Sequence, residues 1–201
     1  MKIITVTGYK GGCSKSTTAV HVATFFAELG DTILVDGDPN RTAIAWSHRG
    51  QLPFTVVDER KAMKAVQNRD YLVIDTPARP DSEDLKELAD GCDLLILPTS
   101  PDVVALEPML QTANDLGDTA NYRALLTIVP PRPSREGETM QRELRENDIP
   151  VFDTMIRRAE GFKKAALEGV PVRDVKESRS RLAWIDYQAL GKEILEILGD
   201  G

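Results

Sequence analysis

Residues 8–18, "GYKGGCSKSTT", follow directly on the apolar run Ile3-Ile4-Thr5-Val6. A strand, a glycine-rich turn and a helix opening near Lys15 make a phosphate-binding loop. Successive backbone N–H groups over Gly11, Gly12, Cys13, Ser14 and Lys15 curl around a phosphate oxygen, and the positive end of the helix holds the anion. In that chemistry Lys15 reaches the β- and γ-phosphates of a nucleotide. The Ser16 hydroxyl ligates Mg²⁺, and Thr17 adds a hydrogen bond to the α-phosphate. Two features depart from the usual pattern. Ser14 stands where glycine normally precedes the Lys-Ser pair, and an extra lysine, Lys10, sits near the start of the loop.

Two further stretches place carboxylates where such a loop needs them. "ILVDGDPN" ends an apolar run with Asp36 and Asp38, and "YLVIDTPA" ends one with Asp75. Carboxylates at the carboxyl ends of parallel strands lie on the edge where ligands bind. Asp75 has the place of a Walker B acid, holding Mg²⁺ through water. Read without the loop, the same acids terminate strands or cap helices.

These residues need a frame to position them. Short apolar runs at 3–7, 33–36, 54–57, 71–75, 94–98, 124–129 and, weakly, 151–152 alternate with helical patterns. The helical patterns fall at 15–29, 81–89, 102–116 and 135–146. Several runs are apolar throughout, as suits strands covered on both faces. The pattern predicts an α/β fold: a doubly wound, mostly parallel sheet with helices on both faces. Beyond residue 150 the chain reads as a turn, a short helix, a Gly-Val-Pro stop and a final amphipathic helix. That helix is expected to carry Leu182, Ile185, Leu190, Ile194 and Leu198 near one face. "PPRPS" at 130–134 reads as a loop rather than a boundary, so residues 1–201 are expected to form a single domain.

Composition narrows the classes. The 201 residues are 41% hydrophobic and 28% charged, which excludes a disordered chain and a membrane-spanning one. No apolar run approaches the roughly 18–20 residues that span a bilayer, and the N-terminus runs straight into a strand, so no signal peptide is expected. Cys13 and Cys92 make neither a disulfide framework nor a metal site. His21 and His48 leave little room for histidine catalysis or zinc. Cytoplasm is the expected compartment. The net charge of −7 argues against a surface that is basic all over.

The residues "KGGCSKST" resemble the deviant Walker A pattern of the ParA/MinD family of ATPases. "VDGDP" is similar to its second acidic motif, "VIDTPA" to its Walker B and switch II segment, and "DLLILPTSPDVVAL" to the strand–loop–helix that follows. The likeness is strong over residues 3–40 and 70–106 and looser over 123–173. In length the chain resembles the small ParA (ParF-like) proteins of plasmid partition and their carboxysome-spacing cousins.

The resemblance implies ATP and Mg²⁺ as cofactors, with Ser16, Asp36 and Asp75 around the metal. It makes Lys10 a signature lysine that crosses an ATP-bound homodimer to the partner's nucleotide. A cation placed there offsets repulsion between two phosphate clusters. Asp38 becomes a switch I residue that positions the attacking water, and Lys10, Lys15 and Asp38 form the catalytic set. Pro130 and Pro131 are expected to line the adenine pocket. The family pattern has no glycine requirement before Lys15, so Ser14 departs only from the classical rule.

Relatives bind non-specific DNA as ATP dimers and are released by a ParB-like or cargo-adaptor protein that stimulates hydrolysis. The candidates for DNA contact are Arg157, Arg158, Lys163, Lys164, Lys176, Arg179 and Arg181, a density of basic residues unusual in an acidic chain. Nucleoid association follows as an expectation. The tail "KEILEILGDG" is acidic and lacks a basic face, which disfavours a membrane role. Two alternatives remain at this point: a MinD-like membrane-associated division regulator and a metabolic P-loop enzyme.

Overall fold

In the computed structural model, which describes residues 1–9, 12–117 and 121–199, six strands form one parallel sheet in the order β3-β2-β4-β1-β5-β6. The strands are β1 (Lys2–Gly8), β2 (Thr32–Asp36), β3 (Thr55–Asp58), β4 (Tyr71–Ala78), β5 (Leu94–Thr99) and β6 (Tyr122–Leu126). The helices are α1 (Lys15–Phe26), α2 (Thr42–Ser47), α3 (Ala62–Ala65), α4 (Ser82–Asp90), α5 (Leu106–Leu116), α6 (Glu136–Glu146), α7 (Gly161–Glu168) and α8 (Ser178–Leu198).

The strands are apolar throughout because both faces are covered. Ile4, Leu34, Val73, Leu94 and Ile96 pack under α1, α2, α7 and α8. Leu95, Leu97, Ala124 and Leu126 pack under α4, α5 and α6, while Ile33, Val35 and Leu72 meet α3. Side chains alternate between faces along each strand, so Leu94 and Leu95 serve different cores. This is the doubly wound α/β architecture that the alternation of elements implies.

Register sets the functional edge. Asp36 of β2 lies opposite Asp75 of β4, which in turn lies opposite Val6 of β1. The two acids are therefore neighbours at the carboxyl edge, immediately beside the loop that leaves β1.

The fold differs from the sequence reading in several places. β6 ends at Leu126, short of Val129, because Ile128 turns into the left-handed region at φ 55, which a β-branched residue rarely occupies. The weak strand at 151–152 is reduced to a single bridge, Val151 to Ala124. The six-residue α2 went unread because it spans under two turns. In α8, Leu182 and Ile185 are 47% and 52% exposed, whereas Ala183, Trp184, Tyr187, Leu190 and Ile194 are buried. The buried face thus keeps Leu190 and Ile194 of the expected set but, in the first half of the helix, is turned away from Leu182 and Ile185. It is fixed by the contact between α8 and α1, where a Cβ on Gly191 would come within 2.4 Å of the Phe25 ring.

Candidate functional site

The loop after β1 closes through two left-handed residues, Gly12 at φ 81 and Ser14 at φ 70. The Ser14 carbonyl accepts the Thr18 N–H at 2.8 Å and starts α1. Its side chain caps nothing, and the first turn holds no acidic residue, so the positive helix end stays available to an anion. Thr127, just past the end of β6, braces the loop, its hydroxyl donating to the Cys13 carbonyl at 3.1 Å. Lys15 is buried. A cleft of about 330 Å³ opens above it, lined by Gly12, Ser14, Lys15, Ser16, Thr17, Asp38, Asn40, Thr42 and Ala78. Lys15, Ser16 and Thr17, consecutive at the start of α1, and Asp38, from beyond β2, therefore face one space. Lys10 and Gly11 lie outside the described residues.

Three aspartates differ in their duties here: Asp38 lines the cleft, while Asp36 and Asp75 are buried at the adjoining strand ends. Asp36 is fully buried, accepts the Asp38 N–H at 3.2 Å and the Ile44 N–H at 2.9 Å, and so ties the following loop and α2 to the sheet. Burial pushes its carboxyl up, and these N–H donors and Arg41 pull it back. The Arg41 guanidinium donates to the Asp36 carbonyl at 2.6 Å and pairs with Glu59 and Asp58. Asp38 accepts the Asn40 backbone N–H at 2.8 Å and its side-chain amide at 2.9 Å through one oxygen, Oδ1.

Asp75 is the outlier. It is fully buried, and among the described residues neither carboxylate oxygen completes a hydrogen bond, although the Ser16 hydroxyl lies near enough to favour the charged form. Burial pushes its pKa up to about 7, with the charges of Asp36 and Asp38 adding, while Ser16 and Lys15 oppose. An unpartnered buried carboxylate costs free energy and is the arrangement a cation relieves. Among the described residues no cluster of three or more His, Cys, Asp or Glu side chains forms a ready metal cage. That suits Mg²⁺, which keeps several waters and takes one or two carboxylates plus substrate phosphates. Asp75, with the Ser16 hydroxyl beside it, fits such an ion. Asp36, already holding two N–H groups, contributes through its charge.

A second cavity, of about 480 Å³, adjoins the first at Ser14 and Thr17. Its wall is made by Ile128, Ile156, residues 157–160, Phe162, Lys163, Ala166 and Tyr187. This mainly apolar space has the chemistry to take the base and sugar of a nucleotide and is termed the base-side cavity. Pro130 and Pro131 do not line it; the left-handed Ile128, two residues earlier, does.

Comparison with known proteins places this arrangement. Residues 4–172 match the CobQ/CobB/MinD/ParA nucleotide binding domain family. The chain belongs to this family. Maintenance of carboxysome distribution protein A from Gloeobacter kilaueensis is 34% identical over 202 residues, covering 96% of this chain and 94% of that one. Protein ParA from Rhizobium radiobacter is 22% identical over 200 residues, covering 91% and 90%. Among solved structures, a Borrelia burgdorferi plasmid partition protein bound to AMPPNP superposes with a TM-score of 0.72. It is 18% identical, covering 97% of this chain and 98% of that one. An aspartate-to-alanine variant of Cyanothece McdA in complex with ATP gives 0.72 at 15% identity, covering 100% and 97%. These likenesses establish the ParA/MinD-type P-loop fold.

Within this ParA/MinD-type domain the basic residues divide into two groups. Arg157 is bound to Asp186 by Nε at 2.7 Å and Nη2 at 2.6 Å, and its backbone N–H joins the same carboxylate at 3.1 Å. Lys163 pairs with Glu160 and Lys164 with Glu177. Arg158, Lys176, Arg179 and Arg181 are exposed and have no ion pair among the described residues. Arg158 lines both the base-side cavity and a smaller polar one against Gly12 and Cys13.

Sequence reasoning missed Asn40, Thr42, Ile128, Phe162 and Tyr187 as site residues. Asn40 and Thr42 had a signal, their closeness to Asp38. The others are brought in by packing alone.

Proposed function

We propose that the protein is a ParA-type ATPase that positions an intracellular cargo, either a DNA molecule or a carboxysome-like body. The carrying observation is the buried Asp75, without a hydrogen-bond partner among the described residues and next to Lys15 and Ser16, which line a cleft together with Asp38. The full-length 34% likeness to a carboxysome distribution protein supports the choice of cargo class.

In this reading the loop N–H groups and Lys15 hold the phosphates of ATP, and Thr17 binds beside them. Ser16 and Asp75 would hold Mg²⁺, which would supply charge neutralisation for the transferred phosphoryl group. Asp38, with Oδ2 left open by the Asn40 contacts, orients the attacking water. Lys10 reaches across a sandwich homodimer to the second nucleotide. The dimer binds non-specific DNA through Arg158, Lys176, Arg179 and Arg181, and a ParB-like or cargo-adaptor partner triggers hydrolysis. Turnover is slow without that partner, and the protein works in the cytoplasm on the nucleoid. Among the described residues no helix is long and apolar enough to cross a membrane.

The deciding experiment is light scattering and DNA retention with ATP, ADP or no nucleotide, on wild type and on Lys10→Ala and Lys15→Ala. ATP-dependent dimers that retain DNA, lost in both variants while Lys10→Ala still binds ADP, support the proposal. A wild-type chain that binds ATP but floats with liposomes and ignores DNA would favour the membrane-regulator reading.

A further inference from the structure

We infer that His21 is a positioning residue: it locks the wall of the base-side cavity onto the phosphate-binding turn, so that the nucleoside end of a ligand adds to affinity only when the lock is made. The inference rests on the nucleotide site proposed above and concerns how its two ends are held together.

His21 is fully buried in α1, one turn beyond Thr17. Its Nε2 accepts the Val172 N–H at 3.0 Å, and its Nδ1 lies 2.7 Å from the Thr17 carbonyl. A ring nitrogen that accepts an N–H carries no proton, so the proton of the neutral ring sits on Nδ1 and is donated to Thr17. One imidazole thus links the helix that starts at Lys15 to the turn following α7. The ring also stacks on Tyr187 at 4.8 Å and meets Phe162 edge-on at 5.2 Å. Thr17 lines both cavities, and Phe162 and Tyr187 form the wall of the base-side one. The hydroxyls of Thr18 and Tyr187, 3.3 Å apart, make a second tie along the same seam.

Core filling alone does not explain the residue. An apolar side chain fills such a space without the cost of burying two nitrogens. The imidazole adds direction: both nitrogens are satisfied, by groups far apart in the chain, and only one relative placement of the two segments allows it. That placement sets the distance between the phosphate turn and the wall against which a base would rest.

The test compares the affinity of the full chain, with Mg²⁺, for ATP and for inorganic tripolyphosphate. Their ratio measures what the nucleoside adds. His21→Asn keeps a donor near the Nδ1 position but cannot reach Val172. His21→Gln carries an amide oxygen out to the Nε2 position. Val172→Pro removes the N–H from the other side, and Pro171, at φ −65 and ψ 156, already has the extended backbone a following proline requires.

ATP affinity is expected to fall about tenfold in His21→Asn and in Val172→Pro, the scale of one lost hydrogen bond. Tripolyphosphate affinity should stay within about twofold, because the phosphate turn itself is untouched. His21→Gln should behave like wild type, and the His21→Asn, Val172→Pro double variant no worse than either single one. Equal losses for both ligands, unchanged ATP affinity in either single variant, or a loss in His21→Gln as large as in His21→Asn would overturn the inference. So would a wild type that binds tripolyphosphate as tightly as ATP, which leaves the phosphate site standing. A wild type that binds neither removes the nucleotide reading and the inference together.

Discussion

The Asp36 carboxylate holds the backbone N–H of Asp38 at 3.2 Å, so the acid that ends β2 fixes the chain carrying the acid that faces the cleft. The same carboxylate holds the Ile44 N–H. Two aspartates in one short motif therefore divide the work, one anchoring and the other facing the ligand.

Asp38→Ala should separate binding from chemistry. Lys15, Ser16 and Asp75 remain to hold Mg·ATP, and the Asp36 anchor is intact. Hydrolysis should fall by roughly two orders of magnitude, the scale of a lost positioning or acid–base group, while ATP binding and dimerisation persist. Asp36→Ala should behave differently, freeing two N–H groups at once and lowering both thermal stability and ATP affinity. Single-turnover hydrolysis and size-exclusion chromatography with ATP distinguish them. Near-normal hydrolysis in Asp38→Ala would take it off the catalytic list.

Ser14→Gly tests the odd residue of the loop. Ser14 sits at φ 70, ψ 26 without a capping bond to compensate. A non-glycine residue in the left-handed region costs roughly 1–2 kcal/mol, and glycine gives back about 0.4–1 kcal/mol through the more flexible unfolded chain. The net gain of about 0.5–1 kcal/mol should raise the melting temperature by about 2 °C in a chain of this size. A drop on thermal melting would show that the serine hydroxyl has a partner in the folded loop.

Arg157 and the pair Arg179 and Arg181 should part company. Arg157→Ala leaves Asp186 without its guanidinium and should cost about 1–2 kcal/mol of stability, discounted because the arginine is more than a third exposed. Its effect on DNA retention should be secondary. Arg179→Glu with Arg181→Glu should leave the melting temperature unchanged and weaken ATP-dependent DNA retention, more visibly at low salt. Filter binding across a salt series checks both. Full DNA retention in the double variant would move the DNA surface elsewhere.

The loop, the acidic strand ends and the sheet were legible because each is local: a period, a spacing, a strand followed by a carboxylate. The base-side cavity was not, since Ile128, Phe162 and Tyr187 meet Thr17 only through packing. The apolar run 124–129 gives no sign that Ile128 turns to positive φ. The first half of the α8 face was not legible because Leu182 and Ile185 look like core residues while Tyr187, which meets Thr18 and His21 of α1, looks unremarkable. The role of His21 was not legible either, since its partner Val172 lies far along the chain and left no mark near it.

Asp75→Asn should make the nucleotide-free protein more stable at neutral pH while removing Mg·ATP binding. Burial, with Asp36 and Asp38 nearby, raises Asp75 from 3.8 to about 7. A folded-state value above the unfolded one means that the folded chain holds the extra proton between the two. Stability from this group is complete below about pH 3.8 and lost as pH rises through about 7, a total of about 4 kcal/mol over the span. His21 has the opposite sign. Burial lowers it from 6.5 to about 4, so stability from it is complete above pH 6.5 and lost as pH falls toward 4. In wild type the two slopes oppose each other between about pH 4 and 6.5, and the apo melting temperature should change little there. Asp75→Asn removes the first slope, so its melting temperature should climb over that window and then level off. Above pH 7 it should exceed wild type, although the buried amide takes back about 1–3 kcal/mol for its own missing partners, leaving a net gain of about 1 kcal/mol or more. Thermal melts at pH 5, 6 and 8 without nucleotide, paired with Mg·ATP titrations, check each half. A wild type more stable than the variant at pH 8 would refute the destabilising charge at Asp75, and retained Mg·ATP affinity would remove Asp75 from the metal site.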